Sequence, residues 1–355
     1  MDIVNFKKKF DPYLIKFLDK KLHDYKDYTK DAFILSLIAH TKKLVLSAGK
    51  RVRPYVAYLM YKSAGGKQDE KVIKLFVGLE LFHNFCLVHD DIIDRGLERH
   101  GVATLHKHVS QRLQNERRIC NIEHVGNSQA ILIGDLLFAW SYEILGLCTD
   151  FDSKKLYEAR VAFNKMVNEV IVGQMIDVDI TTRKNVKASL VDQKMMLKTA
   201  MYTFVRPMEI GLALASDKSS LKEFCAHFGM SLGMGFQIQD DMLDIIANPK
   251  KLKKTVLSDL KEGNHNFFTQ YIFDFGTEKQ KKELSKVFGT PVALLNGNRQ
   301  KVVGLFYDSG AIDNGVKTFE AYFNSARKSL SGTKISSPYK SKWSELIDYI
   351  EKRTA

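Results

Sequence analysis

The chain has 355 residues, 45% of them hydrophobic, which is material for a large buried core. With only six prolines and 22 glycines, collagen-like and linker-rich chains are excluded and a turn-dense β-sandwich is disfavoured. The net charge of +13, from 54 Lys and Arg against 41 Asp and Glu, points toward anionic partners such as nucleic acid, acidic lipid or phosphorylated small molecules.

In chain order, the opening MDIVNFKKKFDPYL lacks the apolar stretch of a secretory signal. Its basic runs, and Lys20 with Lys21, read as solvated helix faces. Residues 30–47 set Phe33, Leu35, Ile38, Leu44 and Leu46 on one apolar stripe and predict a helix. SAGKRVRP then places Lys50, Arg51 and Arg53 beside Pro54 at a helix start, where free N–H groups and basic side chains suit a phosphate. A plain basic turn reads equally well there. Residues 72–94 predict one long helix, from Val72, Leu75, Phe76, Leu79, Phe82, Phe85 and Cys86 at three- and four-residue steps. Residues 95–125, rich in His, Arg, Gln and Asn, are expected to be the largest irregular segment. Residues 127–147, 153–177 and 219–246 predict further helices, the last capped by Ser219 or Ser220. Lys198 with Thr199 is expected to open another.

No alternating stretch predicts a strand. The most apolar run, 131–140, is about ten residues with Asp135 inside it, roughly half a membrane span, so no transmembrane segment is expected. Cys86, Cys120, Cys148 and Cys225 form no CxxC pair and suit free thiols in a reducing interior, so the expected location is cytoplasmic. Long helices with short connections imply an all-α bundle, read as one domain over residues 1–355.

The informative feature is a repeat. Asp90, Asp91 and Asp94 lie in LVHDDIIDRG, and Asp240, Asp241 and Asp244 lie in QIQDDMLDII, each toward the end of a long apolar helix. Residues four apart share a helix face, so Asp90 stacks with Asp94 and Asp240 with Asp244. Such carboxylates repel one another near the negative end of the helix dipole, which destabilises the helix unless a cation sits there. Mg²⁺, which takes a few carboxylate oxygens, waters and substrate phosphates, is the natural occupant. No His/Cys set at zinc spacing competes. Arg95, Arg99 and His100 follow the first cluster, and Lys253 and Lys254 the second. Phosphate clamps beside magnesium carboxylates describe a site for a diphosphate ester.

These residues resemble the trans-isoprenyl diphosphate synthases of the polyprenyl synthetase family. GKRVRP, ELFHNFCLVHDDIID, RHGVATLH, AILIGDLLF, GQMIDVD, KTAMYTF, GFQIQDDMLD and SDLKEG occur in the family's order, over a core of about residues 48–264, with trailing helices over about 265–355. The resemblance implies an isoprenoid-synthase-type bundle around a central active-site cavity, usually a homodimer. It implies that Asp90, Asp94 and Asp240 bind Mg²⁺, about three ions per site, assisted by Asp91, Asp241 and Asp244. Arg99, Lys198 and Lys254 would clamp the allylic diphosphate. Lys50, Arg53 and His83 would grip isopentenyl diphosphate, with His100 beside them. Thr199 and Gln237 would face the developing allylic cation.

Product length should depend on the floor beneath DDIID. Phe85 and Cys86 lie about 6–7.5 Å down the helix from Asp90, with Cys86 nearer the aspartate face. Geometry alone leaves Phe85 open as plain core. An aromatic five residues upstream with a small residue at four resembles archaeal-type geranylgeranyl diphosphate synthases, which favours a C20 product over C15 or C25.

The sequence departs from the family pattern in places. His100 stands for a second arginine and, being shorter and mostly neutral at pH 7, should grip more weakly. Ala103 stands for a proline, and Asn264 and Asn266 for a lysine and a threonine. The segment 107–124 looks longer than usual. A class I terpene cyclase on the same scaffold would keep the aspartates but not need Lys50, Arg53 and His83. A non-catalytic subunit of a heteromeric synthase would not need both motifs intact. A nucleic-acid binder would leave six aspartates unexplained, so nucleic acid is not expected as a partner.

Overall fold

A computed structural model of the chain describes residues 1–47, 49–215, 221–246, 257–290 and 292–352. It divides into two compact units, Met1–Tyr58 with Gly66–Arg160 and Leu59–Gly65 with Val161–Ala355.

The first unit begins with α1 (Ile3–Tyr28), capped by the Asp2 carboxylate accepting from the Asn5 N–H at 2.8 Å. Phe6, Phe10, Leu14 and Leu18 recur every four residues and are buried, the stripe that seats α1 on its neighbours. α2 (Ala32–Leu46) starts at the Asp31 cap, and α3 (Val52–Ser63) follows the basic turn. α4 (Asp69–Ile93) packs along α6 (Ile122–Leu147), the principal contact of this unit. Between them lie a minimal hairpin, β1 (Glu98–Arg99) with β2 (Val102–Ala103), and α5 (Leu105–Asn115). His100 and Gly101, with φ of 52° and 75°, make the hairpin's turn; positive φ at both central residues matches the twist of the strands.

Residues 95–125 are thus ordered, contrary to the expectation of an irregular segment. Two-residue strands are too short to show alternation. α5 buries only Leu105, Val109 and Leu113, so its apolar row is hidden among polar neighbours. The long helices otherwise fall where periodicity placed them.

By length and composition α4 and α6 could each cross a membrane, but 67% of the apolar window of α4 and 39% of that of α6 is buried within the protein. The run 131–140 is only the middle of α6, whose flanking turns extend its apolar length.

The second unit contains α7 (Ser153–Ile180, its first turns in the other unit), then α8 (Ala188–Met195), a π-helical segment Met196–Val205 and α9 (Arg206–Leu214) in unbroken succession. Lys198 and Thr199 therefore sit inside a continuous helix rather than opening one. α10 (Lys222–Ile246) packs against the π segment and against α15 (Ala311–Gly332). The expected cap at Ser219 and Ser220 lies outside the described residues. Short helices α11 (Ser258–Glu262), α12 (Phe267–Phe275), α13 (Glu278–Val287) and α14 (Val292–Asp308) lead to α15, and α16 (Ser337–Glu351) closes the unit. Trp343 of α16 is fully buried, edge-on to Phe228 at 5.1 Å and Phe224 at 5.8 Å, with its N–H donated to the Ser63 hydroxyl at 3.0 Å.

Two glycines hold the π segment. A Cβ on Gly173 of α7 would lie 2.7 Å from the Lys198 nitrogen, and one on Gly233 of α10 would lie 2.6 Å from the Ala200 Cβ. Wider π turns bulge outward, and missing side chains on both neighbours admit the bulge. Gly233→Ala should therefore overpack the core by about 1–3 kcal/mol. Urea unfolding should show a lower midpoint at unchanged slope.

In the first unit His40 and His108 stack with centroids 3.7 Å apart and planes 4° from parallel, and His40 Nε2 bonds the Ala103 carbonyl at 2.9 Å. Burial, then the neighbouring His40 and Arg112, push the His108 imidazolium down to about 4. Burial lowers His40 too. The unfolded chain takes up protons near pH 6.5 that the native pair refuses. Stability should thus be complete above that pH and fall as pH drops from about 6.5 toward 4. Urea midpoints at pH 7.5, 6 and 5 should show this decline, and His108→Gln should flatten it.

Candidate active site

In the first unit the three aspartates at the end of α4 fall into different environments. Asp91 is buried, Asp90 half-buried and Asp94 exposed. The Arg99 guanidinium grips Asp91 as a fork, Nε at 3.0 Å and Nη2 at 2.6 Å from Oδ1, with Nε 3.2 Å from Oδ2. The hairpin delivers Arg99 to that spot. The Gly96 N–H donates to the Asp91 carbonyl at 2.9 Å, and the Thr104 hydroxyl to the Gly96 carbonyl at 2.8 Å, tying both hairpin ends to α4.

The basic turn before α3 divides its labour. Arg51, at φ 55°, turns inward and donates to Asp11 of α1 at 2.9 Å, the Val45 carbonyl of α2 at 3.1 Å and Glu80 of α4 at 2.6 Å. Lys50 stays exposed and Arg53 half-buried. Beside them, burial and the charges of Arg53, Arg99, Arg51 and His100 drive the His83 imidazolium far below its ordinary range. Positive groups thus converge around a neutral histidine, the electrostatic setting of an anion site.

Below the aspartates Phe85 sits in an aromatic cluster, its centroid 4.6 Å from His89, 5.1 Å from Phe138 of α6 and 5.5 Å from Phe82. Cys86 is half-buried.

The second unit holds the opposite charge. The Thr199 hydroxyl donates to the Gln237 carbonyl oxygen, and the Gln237 amide donates to the buried Asp241 at 2.6 Å. Asp244 accepts from the Ser258 hydroxyl at 2.8 Å and the Asp259 N–H at 3.3 Å, and Asp259 accepts from the Asn266 amide at 2.9 Å. Burial foremost, then Asp259, raises Asp241 well above the carboxylate range and Asp244 to about 7. Burial likewise raises Asp259. Asp240 is half-buried at the same helix end.

Asp177 of α7 behaves differently. Burial opposes its ionisation, yet the ammonium groups of Lys198 at 2.6 Å and Lys194 at 3.0 Å hold its carboxyl far below the usual range.

Carboxylates crowded away from water, with their charged forms disfavoured, are a donor set suited to a hard divalent cation. Among the described residues no three or more carboxylate, imidazole or thiol groups converge on one point.

A sequence model of the polyprenyl synthetase family matches residues 36–295. The chain belongs to this family. It is 31% identical over 281 residues to the short chain isoprenyl diphosphate synthase of Methanocaldococcus jannaschii, covering 79% of this chain and 78% of that one. It is also 31% identical over 251 residues to the geranylgeranyl diphosphate synthase of Saccharolobus solfataricus, covering 70% of each. The geranylgeranyl pyrophosphate synthase of Corynebacterium glutamicum, solved with isoprenyl diphosphate and magnesium, superposes with a TM-score of 0.92 at 26% identity over 100% of both chains. This is a trans-isoprenyl diphosphate synthase, a prenyl transferase, with the all-α fold of its family.

In this synthase the motif residues group as each unit allows. Arg53, His83, Arg99 and His100 gather beside the first aspartate motif, while Lys198, Thr199 and Gln237 gather beside the second. Lys254 lies outside the described residues. Sequence reasoning matched GQMIDVD and SDLKEG without giving Asp177 or Asp259 a role, and it missed Lys194 altogether. A signal for Lys194 existed in its place four residues before Lys198. Asn266, read only as a departure, caps α12 by accepting from the Phe268 and Thr269 N–H groups at 3.0 and 2.9 Å.

Gln237→Leu would leave the Asp241 oxygen without its donor and should lower stability by about 1–3 kcal/mol. Thr199→Val, which removes only the outer hydroxyl, should lower it by no more than about 1 kcal/mol. Urea unfolding of both variants without Mg²⁺ checks the ranking.

Proposed function

We propose that this synthase condenses isopentenyl diphosphate with dimethylallyl, geranyl and farnesyl diphosphates in turn, and that its product is geranylgeranyl diphosphate, C20. The observation that carries the reading is that Arg53 and His100 lie around neutral His83, while Arg51 and Arg99 beside them are engaged by Asp11, Glu80 and Asp91. A cyclase handles one diphosphate, whereas condensation needs a second anion site besides the magnesium carboxylates, and this cluster supplies its chemistry.

In this reading Lys50, Arg53, His83 and His100 hold the isopentenyl diphosphate, and Arg99, Lys198 and Lys254 clamp the allylic one. Asp90, Asp94 and Asp240, aided by Asp91, Asp241 and Asp244, would hold about three Mg²⁺ ions, which when bound neutralise charge on the departing diphosphate. The allylic C–O bond breaks and its electron pair leaves with that diphosphate. The isopentenyl double bond then attacks the allylic carbon, and loss of a proton to the released diphosphate forms the new double bond. Thr199 and Gln237 face the cation with oxygen atoms. Apolar surroundings keep water from capturing it.

The aromatic cluster at Phe85 supports its role as the floor that stops growth at C20. Exposed apolar side chains along α6 (Ile131, Leu132, Leu147) and along α7 (Ile171, Val172, Met175) support a homodimer, each row needing cover from water. A single functional domain, a cytoplasmic location and substrates that are small diphosphates rather than nucleic acid complete the reading.

Purified protein with Mg²⁺, labelled isopentenyl diphosphate and each allylic primer should yield a C20 alcohol after dephosphorylation. Asp90→Ala and Asp240→Ala should each lower turnover at least ~100-fold, and Phe85→Ala should lengthen the product. Hydrocarbon released from an allylic diphosphate alone, with no label incorporated, would overturn the reading in favour of a cyclase.

A further inference from the structure

Lysine is almost never buried unless its ammonium is fully engaged. Lys194, at the end of α8, has a side chain only 8% exposed. Its ammonium donates to the Asn264 side-chain oxygen at 2.9 Å and the His265 carbonyl at 2.7 Å, and lies 3.0 Å from Asp177 Oδ1. Two of its donors thus meet acceptors on the loop between α11 and α12, and toward Asp177 of α7 it makes an ion pair without a hydrogen bond to Oδ1. Asp177 gives its other oxygen to Lys198 at 2.6 Å. Lys198, with 30% of its side chain exposed, can reach a ligand; Lys194 cannot. The same loop carries Asn266, which donates to Asp259, the residue whose N–H donates to Asp244. One buried charge therefore stands between the lysine of the diphosphate clamp and the carboxylates at the end of α10.

We propose that Lys194 is a positioning residue for diphosphate binding, whose ammonium fixes the Asp177–Lys198 pair and the 263–266 loop, and that a lysine at position 264 can supply the same ammonium. The proposal rests on the reading of Lys198 as part of the diphosphate clamp. Without Lys194, Asp177 keeps one cation instead of two and draws Lys198 inward, while the loop loses the donor that closes it. The Asn264 oxygen already touches the ammonium, so a side chain from that position is directed at the same point. Adding a second ammonium there while Lys194 remains would crowd like charges in a site withdrawn from water.

The test compares wild type, Lys194→Met, Asn264→Lys and the double variant. It measures KM for each substrate, the affinity for inorganic diphosphate with Mg²⁺ by calorimetry, and the thermal midpoint. Lys194→Met should raise KM for the allylic diphosphate and weaken inorganic diphosphate binding roughly ten- to hundredfold, the range for groups that orient a ligand's partners. KM for isopentenyl diphosphate should change less than about twofold. The double variant should recover most of the loss, while Asn264→Lys alone should melt lower than wild type, a coupling that additive effects cannot give. Equal rises in both KM values, or a double variant that regains its thermal midpoint but not diphosphate affinity, would overturn the proposal. If Lys194→Met does not fold, Lys194→Gln, which keeps one donor, takes its place with the same expectations. If wild type transfers no isopentenyl group, the functional reading fails, whereas the calorimetric and thermal comparisons still decide the role of Lys194.

Discussion

Repulsion among carboxylates shapes the second unit. Asp241, Asp244 and Asp259 are gathered around the end of α10, where burial foremost makes each harder to ionise, joined by the charge of Asp259 at Asp241 and Asp244 and of Asp177 at Asp259. No fold gains stability from such a cluster on its own. Hydrogen bonds from Gln237, Ser258 and Asn266 restrain it, and Lys194 opposes its charge from inside. The first unit carries the opposite sign: burial foremost, then the charges of Arg53, Arg99, Arg51 and His100, lowers the His83 imidazolium well below its ordinary range. The two units thus differ in the sign of the charge gathered beside their aspartate motifs, a contrast on which the proposed reading of magnesium and diphosphate binding rests.

Much of the helical frame was legible because amphipathic periodicity is a local property. Val72 to Cys86 betray α4 through spacing alone, and the two DDxxD runs mark two helix ends because residues four apart on a helix must face the same way. The hairpin and α5 escaped for the opposite reason: two-residue strands and an apolar row of three leave no periodic trace. The positions of Lys198 and Thr199 within a π segment were hidden too, since that widening depends on the absence of side chains at Gly173 and Gly233, on other helices.

Within the site, residue type was easier to read than role. GKRVRP offered Lys50, Arg51 and Arg53 as equivalent cations, yet a positive φ turns Arg51 into the interior and leaves Lys50 exposed and Arg53 half-buried. Asp91 looked like one more metal ligand, but its tightest partner is Arg99. Lys194, Asp177 and Asp259 depend on contacts between elements, which spacing along a chain does not encode. The departures at Asn264 and Asn266 became intelligible only with their partners in view, one receiving a buried ammonium and the other capping α12.

Arg51 has a reach beyond the turn it belongs to. Through one guanidinium it gathers Asp11 from α1, the Val45 carbonyl from α2 and Glu80 from α4, a residue one helical turn from His83. α1 carries one of the anions that seat this arginine. The opening helix is thereby a support of the turn that carries Lys50 and Arg53, and a change on its inner face would be felt at that turn as well as in α1 itself.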